Sequence, residues 1–441
     1  MAKIVNIVTE PPGPKAREIV DADHRYLATA TKTSPVAVSH AKGATVIDVD
    51  GNTYLDYTSG VSVMNVGHSD PRVVKAVQAQ AGQLFHYAGT DFYYDAQVRL
   101  AKKLEEVTPG KLEKKVFFSS SGTEAVEAAI KLSRWYSQRK MMLAFTGCFH
   151  GRTMGSLSLT ASKTVQRERF FPTMPGVEHV PYAYCYRCPY NLEQKSCGTR
   201  CAKIIEETYF QTFVPPEEVA ALFLEPVQGE GGYIVPPKDF VQAISRICKR
   251  HNILLVDDEV QAGMGRTGRL WAIEHFDVVP DIVCSAKSLG SGVPIGATVF
   301  PRYMDFGPSA HSNTFGGNLL ACAAGLATFE AIEQDHLVEN SAKVGSYLNK
   351  RLRELQEEHE LIGDVRGLGL MQAIELVKDR ETKEHAVEER KKAINLAFKR
   401  GMILLPAGRS TVRLIPPLMV DEEFIDEGVE ILGSALRDAA K

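Results

Sequence analysis

A run of apolar residues that stops on acids, Ile253-Leu254-Leu255-Val256-Asp257-Asp258-Glu259, constrains this chain more than any other stretch. Apolar residues in unbroken succession predict a strand buried on both faces, the habit of parallel sheets flanked by helices. Acids at the carboxyl end of such a strand sit where α/β folds bind their ligands. Side chains alternate along a strand, so Asp257 and Asp258 face opposite ways. Asp258 is the candidate for a site and Asp257 the alternative; the plainer reading is an acidic loop at a strand end. Strand and helix patterns alternate from about Val116 to Phe300, which predicts a doubly wound α/β domain.

Four further segments bear on what that sheet edge carries. Lys287 follows the apolar lead Ile282-Val283 and is fenced by small residues in Cys284-Ser285-Ala286-Lys287-Ser288-Leu289-Gly290-Ser291-Gly292. Burial favours the neutral amine, the form that attacks carbonyls, and small neighbours leave room for a flat ring. A lysine by itself is most often a solvated surface charge. In Val116-Phe117-Phe118-Ser119-Ser120-Ser121-Gly122-Thr123-Glu124-Ala125 a strand runs into a small-residue turn, and a helix follows with Val126, Ala129 and Ile130 at helical spacing. Ser121, Gly122 and Thr123 offer a phosphate the N–H groups and hydroxyls of a helix start. The same residues also make an ordinary N-cap with Glu124 in the first turn.

In Thr146-Gly147-Cys148-Phe149-His150-Gly151-Arg152, Phe149 is a candidate to stack on a ring and His150 to meet its edge, although such a pair more often packs a core. Thr314, in Asn313-Thr314-Phe315-Gly316-Gly317-Asn318, is a further phosphate-donor candidate on a loop before a helix. Jointly these groups suit pyridoxal 5'-phosphate (PLP). Asp258 would hold the proton on its pyridine nitrogen, Gln261 would donate to its phenolic oxygen, and Val260 would pack on a ring face.

In this order the segments resemble the class III (ω-amino acid) aminotransferases, PLP enzymes of fold type I. The resemblance runs from about Ile47 to the C-terminus. It includes Asp50-Gly51-Asn52-Thr53-Tyr54-Leu55-Asp56, Gly67-His68, Glu225-Pro226-Val227-Gln228-Gly229-Glu230-Gly231-Gly232, Gly265-Arg266-Thr267-Gly268 and Val365-Arg366-Gly367-Leu368-Gly369. It implies a large α/β/α domain with a smaller α+β domain, and PLP bound covalently through Lys287. Asp258 matches the partner of the pyridine nitrogen, Gln261 the contact to the phenolic oxygen, Phe149 the stacking aromatic, and Gly122 and Thr123 the phosphate turn. Thr314 matches a phosphate ligand lent by a neighbouring subunit, which implies a homodimer or dimer of dimers with shared sites.

The implied reaction moves an amino group from an ω-amino acid or amine of the 4-aminobutyrate type to a 2-oxo acid such as 2-oxoglutarate. Arg413 resembles the arginine that grips a substrate α-carboxylate with its planar fork, and Glu230 the carboxylate that neutralises it when no such group is bound. A strand-edge ion pair is the plainer reading of Arg413. Val61 stands where some 4-aminobutyrate enzymes carry Ile, so it is counted among the substrate-binding candidates. Ser120, Ser291 and Leu319 depart from frequent family residues without removing a group the chemistry needs. The alternative function is an amino-acid racemase or epimerase on the same scaffold, with Glu230 as a second acid/base. Lys287, Asp258 and Arg413 together argue against a non-catalytic scaffold.

The chain's 441 residues, 44% hydrophobic and 24% charged, are ample for a large core. The expected division is 1–60 as an N-terminal arm and part of the small domain, 61–330 as the large PLP-binding domain and 331–441 as the C-terminal small domain. A helical stretch from Leu319 to about Glu360 joins the last two. A net charge of -3 gives no basis for nucleic-acid or membrane partners. Met1 to Pro14 lacks the apolar core of a secretory signal and reads as a flexible arm, so a cytoplasmic protein is expected. Cys148, Cys248, Cys284 and Cys322 read as small core residues. Cys185, Cys188, Cys197 and Cys201 form C-x2-C-x8-C-x3-C, a spacing open to zinc, disulfides or free thiols and read as bracing a surface insertion. No metal ligand is assigned to the site.

Overall fold

The computed structural model describes residues 3–441. Near the N-terminus β1 (Val38–Lys42), β2 (Thr45–Asp48) and β3 (Thr53–Asp56) form an antiparallel meander. The central sheet follows, built from β4 (Lys114–Ser119), β5 (Met141–Phe145), β6 (Val177–Val180), β7 (Val219–Leu224), β8 (Leu254–Asp258), β9 (Ile282–Ser285) and β10 (Gly296–Pro301). Its seven strands lie in the order β4-β10-β9-β8-β7-β5-β6. Only β10 runs against the rest, antiparallel to both β4 and β9. The C-terminal part adds β11 (Ile362–Leu368), β12 (Met371–Leu376), β13 (Met402–Ile403), β14 (Leu405–Ala407) and β15 (Thr411–Leu414). Four of these form the sheet β11-β12-β15-β14, while β13 pairs in parallel with β3 and ties the two ends of the chain together.

The sequence explains the centre of this arrangement. β7 reads Val-Ala-Ala-Leu-Phe-Leu and every residue is buried, because helices cover the sheet and no face meets water. The helix Gly122–Ser137 packs on β4, β8, β9 and β10, and Lys238–His251 packs on β8. Because β4, β5, β7, β8 and β9 share one direction, their carboxyl ends converge on one edge. The segments that leave that edge carry the chemistry.

The helical stretch from Leu319 is made of two consecutive helices, Leu319–Gln334 and Leu337–Glu358, with His336 left-handed at φ +51°. Asp335 at the break is gripped through both carboxylate oxygens by Arg72, at 2.9 and 2.5 Å. The N-terminal arm is not loose. Ile4 and Val5 donate their N–H groups to Glu427, Val8 and Thr9 donate to Asn52 Oδ1, and Asn6 bridges Thr53. Backbone donors that find acceptors on the folded body hold the segment down. Met1 and Ala2, the start of that arm, lie outside the described residues. Among the described residues no helix is long and apolar enough to cross a membrane.

Candidate active site

The carboxyl edge of the central sheet surrounds a cavity of about 310 Å3. Lys287 enters it two residues after β9, with φ +44°, a left-handed conformation that costs a side-chain-bearing residue energy and is typical of functional positions. Burial holds its amine below the ordinary lysine range, with Asp258 and Glu225 opposing and Arg413 assisting. Asp258, the last residue of β8, faces the same cavity. Its Oδ2 lies 2.7 Å from His150 Nδ1, and its Oδ1 accepts the Val260 N–H at 3.1 Å. Burial works against charge on His150, but the Cys148 sulfur and the Asp258 carboxylate outweigh it and raise its pKa well above the usual value.

After β4 the chain turns through Ser121, Gly122 and Thr123 into a 16-residue helix whose first turn faces the cavity. Ser121 does cap the helix, through the Glu124 N–H at 3.4 Å, and capping does not preclude an anion at the same turn. A side chain at position 122 would place its Cβ 2.8 Å from Val260, so only glycine lets the turn approach that residue. The turn is braced by Thr123 Oγ1, which meets Ser156 Oγ at 2.6 Å and Thr153 Oγ1 at 2.8 Å. Gly151, at φ +139°, fits beside it because a Cβ there would stand 2.2 Å from Thr123 Oγ1. Phe149, Arg152, Glu225, Val260 and Gln261 complete the lining.

Gln261 Oε1 and His150 Nε2 are buried without a hydrogen-bond partner among the described residues. An anion-binding turn, an aromatic ring, a buried carboxylate and a desolvated lysine around one cavity fit a flat, phosphorylated pyridine aldehyde.

The sequence profile for Aminotransferase class-III matches residues 26–436. The chain belongs to the class III aminotransferase family. It is 41% identical over 428 residues to the leucine/methionine racemase of Thermococcus litoralis, covering 96% of each chain. It is 37% identical to a 4-aminobutyrate aminotransferase of Mycobacterium leprae, covering 98% of each. The solved structure of a thermostable (S)-enantioselective omega-transaminase from Thermomicrobium roseum superposes with a TM-score of 0.89 at 31% identity, covering 97% of this chain and 99% of that one. The aminotransferase fold is PLP fold type I, and its cofactor is PLP.

Four predicted residues lie outside the lining of this cavity in the aminotransferase. Thr314 is exposed on its loop beside Phe315. Val61 sits in a left-handed turn, Ser59 to Ser62, where φ runs from +42° to +67°. That turn is tied to the site by Ser62 Oγ, which donates to the Gln261 carbonyl at 3.0 Å, and to the C-terminal part by Ser59 Oγ on the Ile415 carbonyl at 2.7 Å. Glu230 and Arg413 face each other, Oε2 to Nη2, at 3.4 Å, and both act electrostatically on Lys287.

Sequence reasoning assigned no role to Glu225 or Lys163. Glu225 is buried in the cavity lining and accepts the N–H groups of Phe149 at 2.8 Å and Gly229 at 3.0 Å, which fixes both loops. Burial pushes its pKa up to about 7, with His150 opposing. It follows β7 as Asp258 ends β8, so the acid-at-strand-end signal was present. Lys163, whose Nζ lies 2.5 Å from Glu230 Oε1, had no such signal.

The four clustered cysteines line one narrow pocket with Tyr182, Tyr184 and Tyr190. All eight cysteines are unpaired, and among the described residues no group of His, Cys, Asp or Glu is arranged to hold a metal. Their segment docks on the C-terminal sheet, where Glu375 of β12 binds Tyr184 and, at 2.5 Å, Arg187.

On the far side of β8 from Asp258, Asp257 is wholly buried beside Glu259. Burial and the neighbouring acids raise the Asp257 carboxyl, and burial lifts Glu259 from 4.5 to about 8. The folded chain therefore keeps a proton there that the unfolded chain releases. That stability is complete below pH 4.5 and is lost as pH rises through about 8. Inside the window each retained proton is worth about 1.4 kcal/mol per pH unit. Thermal unfolding followed from pH 5 to 9 is expected to show the wild-type midpoint falling with pH and a flatter profile for Glu259→Gln. Parallel profiles would refute the shared proton.

Proposed function

We propose that this aminotransferase takes its amino group from an ω-amino acid or amine and delivers it to 2-oxoglutarate or a similar 2-oxo acid. When bound, PLP supplies the electron sink that lets a substrate carbon give up its proton and leave its nitrogen behind. The chain's residues do the rest. Asp258, oriented by His150, would hold the proton at the pyridine nitrogen. Gln261 would meet the phenolic oxygen, Phe149 and Val260 would confine the ring, and Ser121, Gly122 and Thr123 would hold the phosphate. Lys287 would be the covalent anchor, and its free Nζ would carry the proton from the substrate carbon. Arg413 grips an α-carboxylate, and Glu230 compensates its charge when none is present. The observation that carries this reading is the 2.7 Å His150–Asp258 bond in the same cavity as a desolvated Lys287.

The reading includes a homodimer, or a dimer of such dimers, in which Thr314 serves the partner's phosphate site. Support comes from exposed Phe85, Tyr87, Phe92 and Tyr93 and from Phe315 next to Thr314. It also includes a cytoplasmic setting, which suits unpaired thiols. A second reading, isomerisation of α-amino acids, is favoured by the 41% identity to the leucine/methionine racemase.

The test is a donor screen of 4-aminobutyrate, ornithine, lysine, simple amines and neutral L-amino acids against 2-oxoglutarate and pyruvate, with chirality followed and the mass of the active species measured by sedimentation. Oxo-acid-dependent amino transfer by a dimer or larger species is expected. A D-amino acid formed from its L-form without stoichiometric oxo acid would replace transamination by isomerisation, and a fully active monomer would remove the shared site.

A further inference from the structure

Glu230 stands between two cations. Its Oε1 lies 2.5 Å from Lys163 Nζ, while its Oε2 lies 3.4 Å from Arg413 Nη2. Charge-assisted N–H···O bonds run to about 2.7–2.9 Å, so Lys163 holds the carboxylate and Arg413 has only a loose ion pair with it. Arg413 is otherwise poorly served for a buried charge. Its side chain is 7% exposed, and its Nε and Nη1 have no hydrogen-bond partner among the described residues. Tyr233 lies beside it, its ring centroid 6.0 Å from the guanidinium carbon.

A buried guanidinium with unpaired donors is costly until an acceptor with two oxygens takes them, and a carboxylate is shaped for that. The backbone keeps the three groups in place. The Glu230 carbonyl accepts the Gly408 N–H at 2.8 Å, and Arg413 sits in β15, in register with Ala373 of β12. Lys163 leaves the segment that follows the helix Met154–Leu159 and meets the other carboxylate oxygen of Glu230.

We propose that Lys163 is a positioning residue for substrate choice: by holding the Glu230 carboxylate it keeps Arg413 open to a carboxylate on the reacting carbon, so that 2-oxo acids and α-amino acids bind without first breaking a tight Glu230–Arg413 pair. This rests on the reading of Arg413 as the carboxylate grip. The half of the reaction this favours is the one that binds a 2-oxo acid. A donor without an α-carboxylate draws Glu230 from Lys163 onto Arg413 as it binds.

The experiment uses holoenzyme in its aldehyde form and 4-methyl-2-oxopentanoate, an α-carboxylate probe that cannot receive an amino group from that form. Calorimetry then reads binding without turnover. Lys163→Ala is expected to weaken binding by about tenfold, the scale of one charge-assisted hydrogen bond. Lys163→Arg is expected to bind within about twofold of wild type, because it keeps a cation on Glu230. In a Glu230→Gln background, Lys163→Ala is expected to change affinity by less than about twofold, since the two residues act as one unit. An equal loss in both backgrounds would mean that Lys163 attracts the probe directly and would overturn the proposal, as would no loss in either. If the enzyme proves to isomerise rather than transaminate, the donor assignment fails while this binding contrast stands, so the two failures are distinguishable.

Discussion

Lys287→Ala is expected to lower turnover by about 10^4-fold or more, because in the proposed reading one side chain would serve both as the covalent anchor and as the proton carrier. The expectation rests on where the residue sits. It opens the turn after β9 with a left-handed backbone, and burial holds its amine below the ordinary lysine range. Among the described residues no other lysine lines the cavity. Rapid-mixing assays of amino transfer measure the loss directly. Absorbance supplies a second readout, since the variant should lack the long-wavelength band of the holoenzyme while still binding the cofactor through Asp258 and the Ser121–Thr123 turn. Near-normal turnover, or borohydride trapping at a different side chain, would remove Lys287 from the centre of the mechanism.

Arg266→Met is expected to cost about 3 kcal/mol or more of stability, because it leaves several buried acceptors without a donor at about 1–3 kcal/mol each. Arg266 is completely buried, and burial lowers its pKa to about 10, so it remains charged at neutral pH. Its Nη1 donates to the carbonyls of Leu370 at 3.1 Å and Pro416 at 2.5 Å, and its Nη2 donates to Asn65 Oδ1 at 2.6 Å and Ser59 Oγ at 3.2 Å. These acceptors come from the left-handed Ser59–Ser62 turn and its flank, the β11–β12 turn and the segment after β15. One guanidinium therefore joins the large and C-terminal parts next to the site. Methionine fills similar volume but satisfies none of the four acceptors. Urea unfolding of holoenzyme measures the loss, and a change below about 1 kcal/mol would show that water or neighbouring donors replace the arginine.

Much of the fold was legible in local chemistry. The apolar run ending on acids read as a doubly buried strand, which β8 is, and the period-two alternation within it separated Asp258, in the cavity, from Asp257 on the opposite side. The Ser121–Thr123 turn announced itself as a helix start because capping and anion binding need the same small, polar residues. The break at Asp335-His336 was not legible within the helical pattern, since the residue that clasps Asp335 there is Arg72, distant in sequence. The flexible reading of the N-terminal arm failed for the same reason: its acceptors, Asn52 and Glu427, are brought to it only by the fold.

The division follows the range of the forces involved. Periodicity, capping and steric demand act over a few residues, and they determined from sequence the buried strands, the phosphate-type turn, the strand-end acid and the lysine that follows β9. Which charge compensates which was decided only in three dimensions. Lys163, Glu230 and Arg413 come from the segment before β6, the loop after β7 and β15, and nothing in their spacing states that Glu230 lies 2.5 Å from the lysine and 3.4 Å from the arginine. Coulombic and hydrogen-bond energies depend on those distances and on burial, which exist only once the sheets have packed.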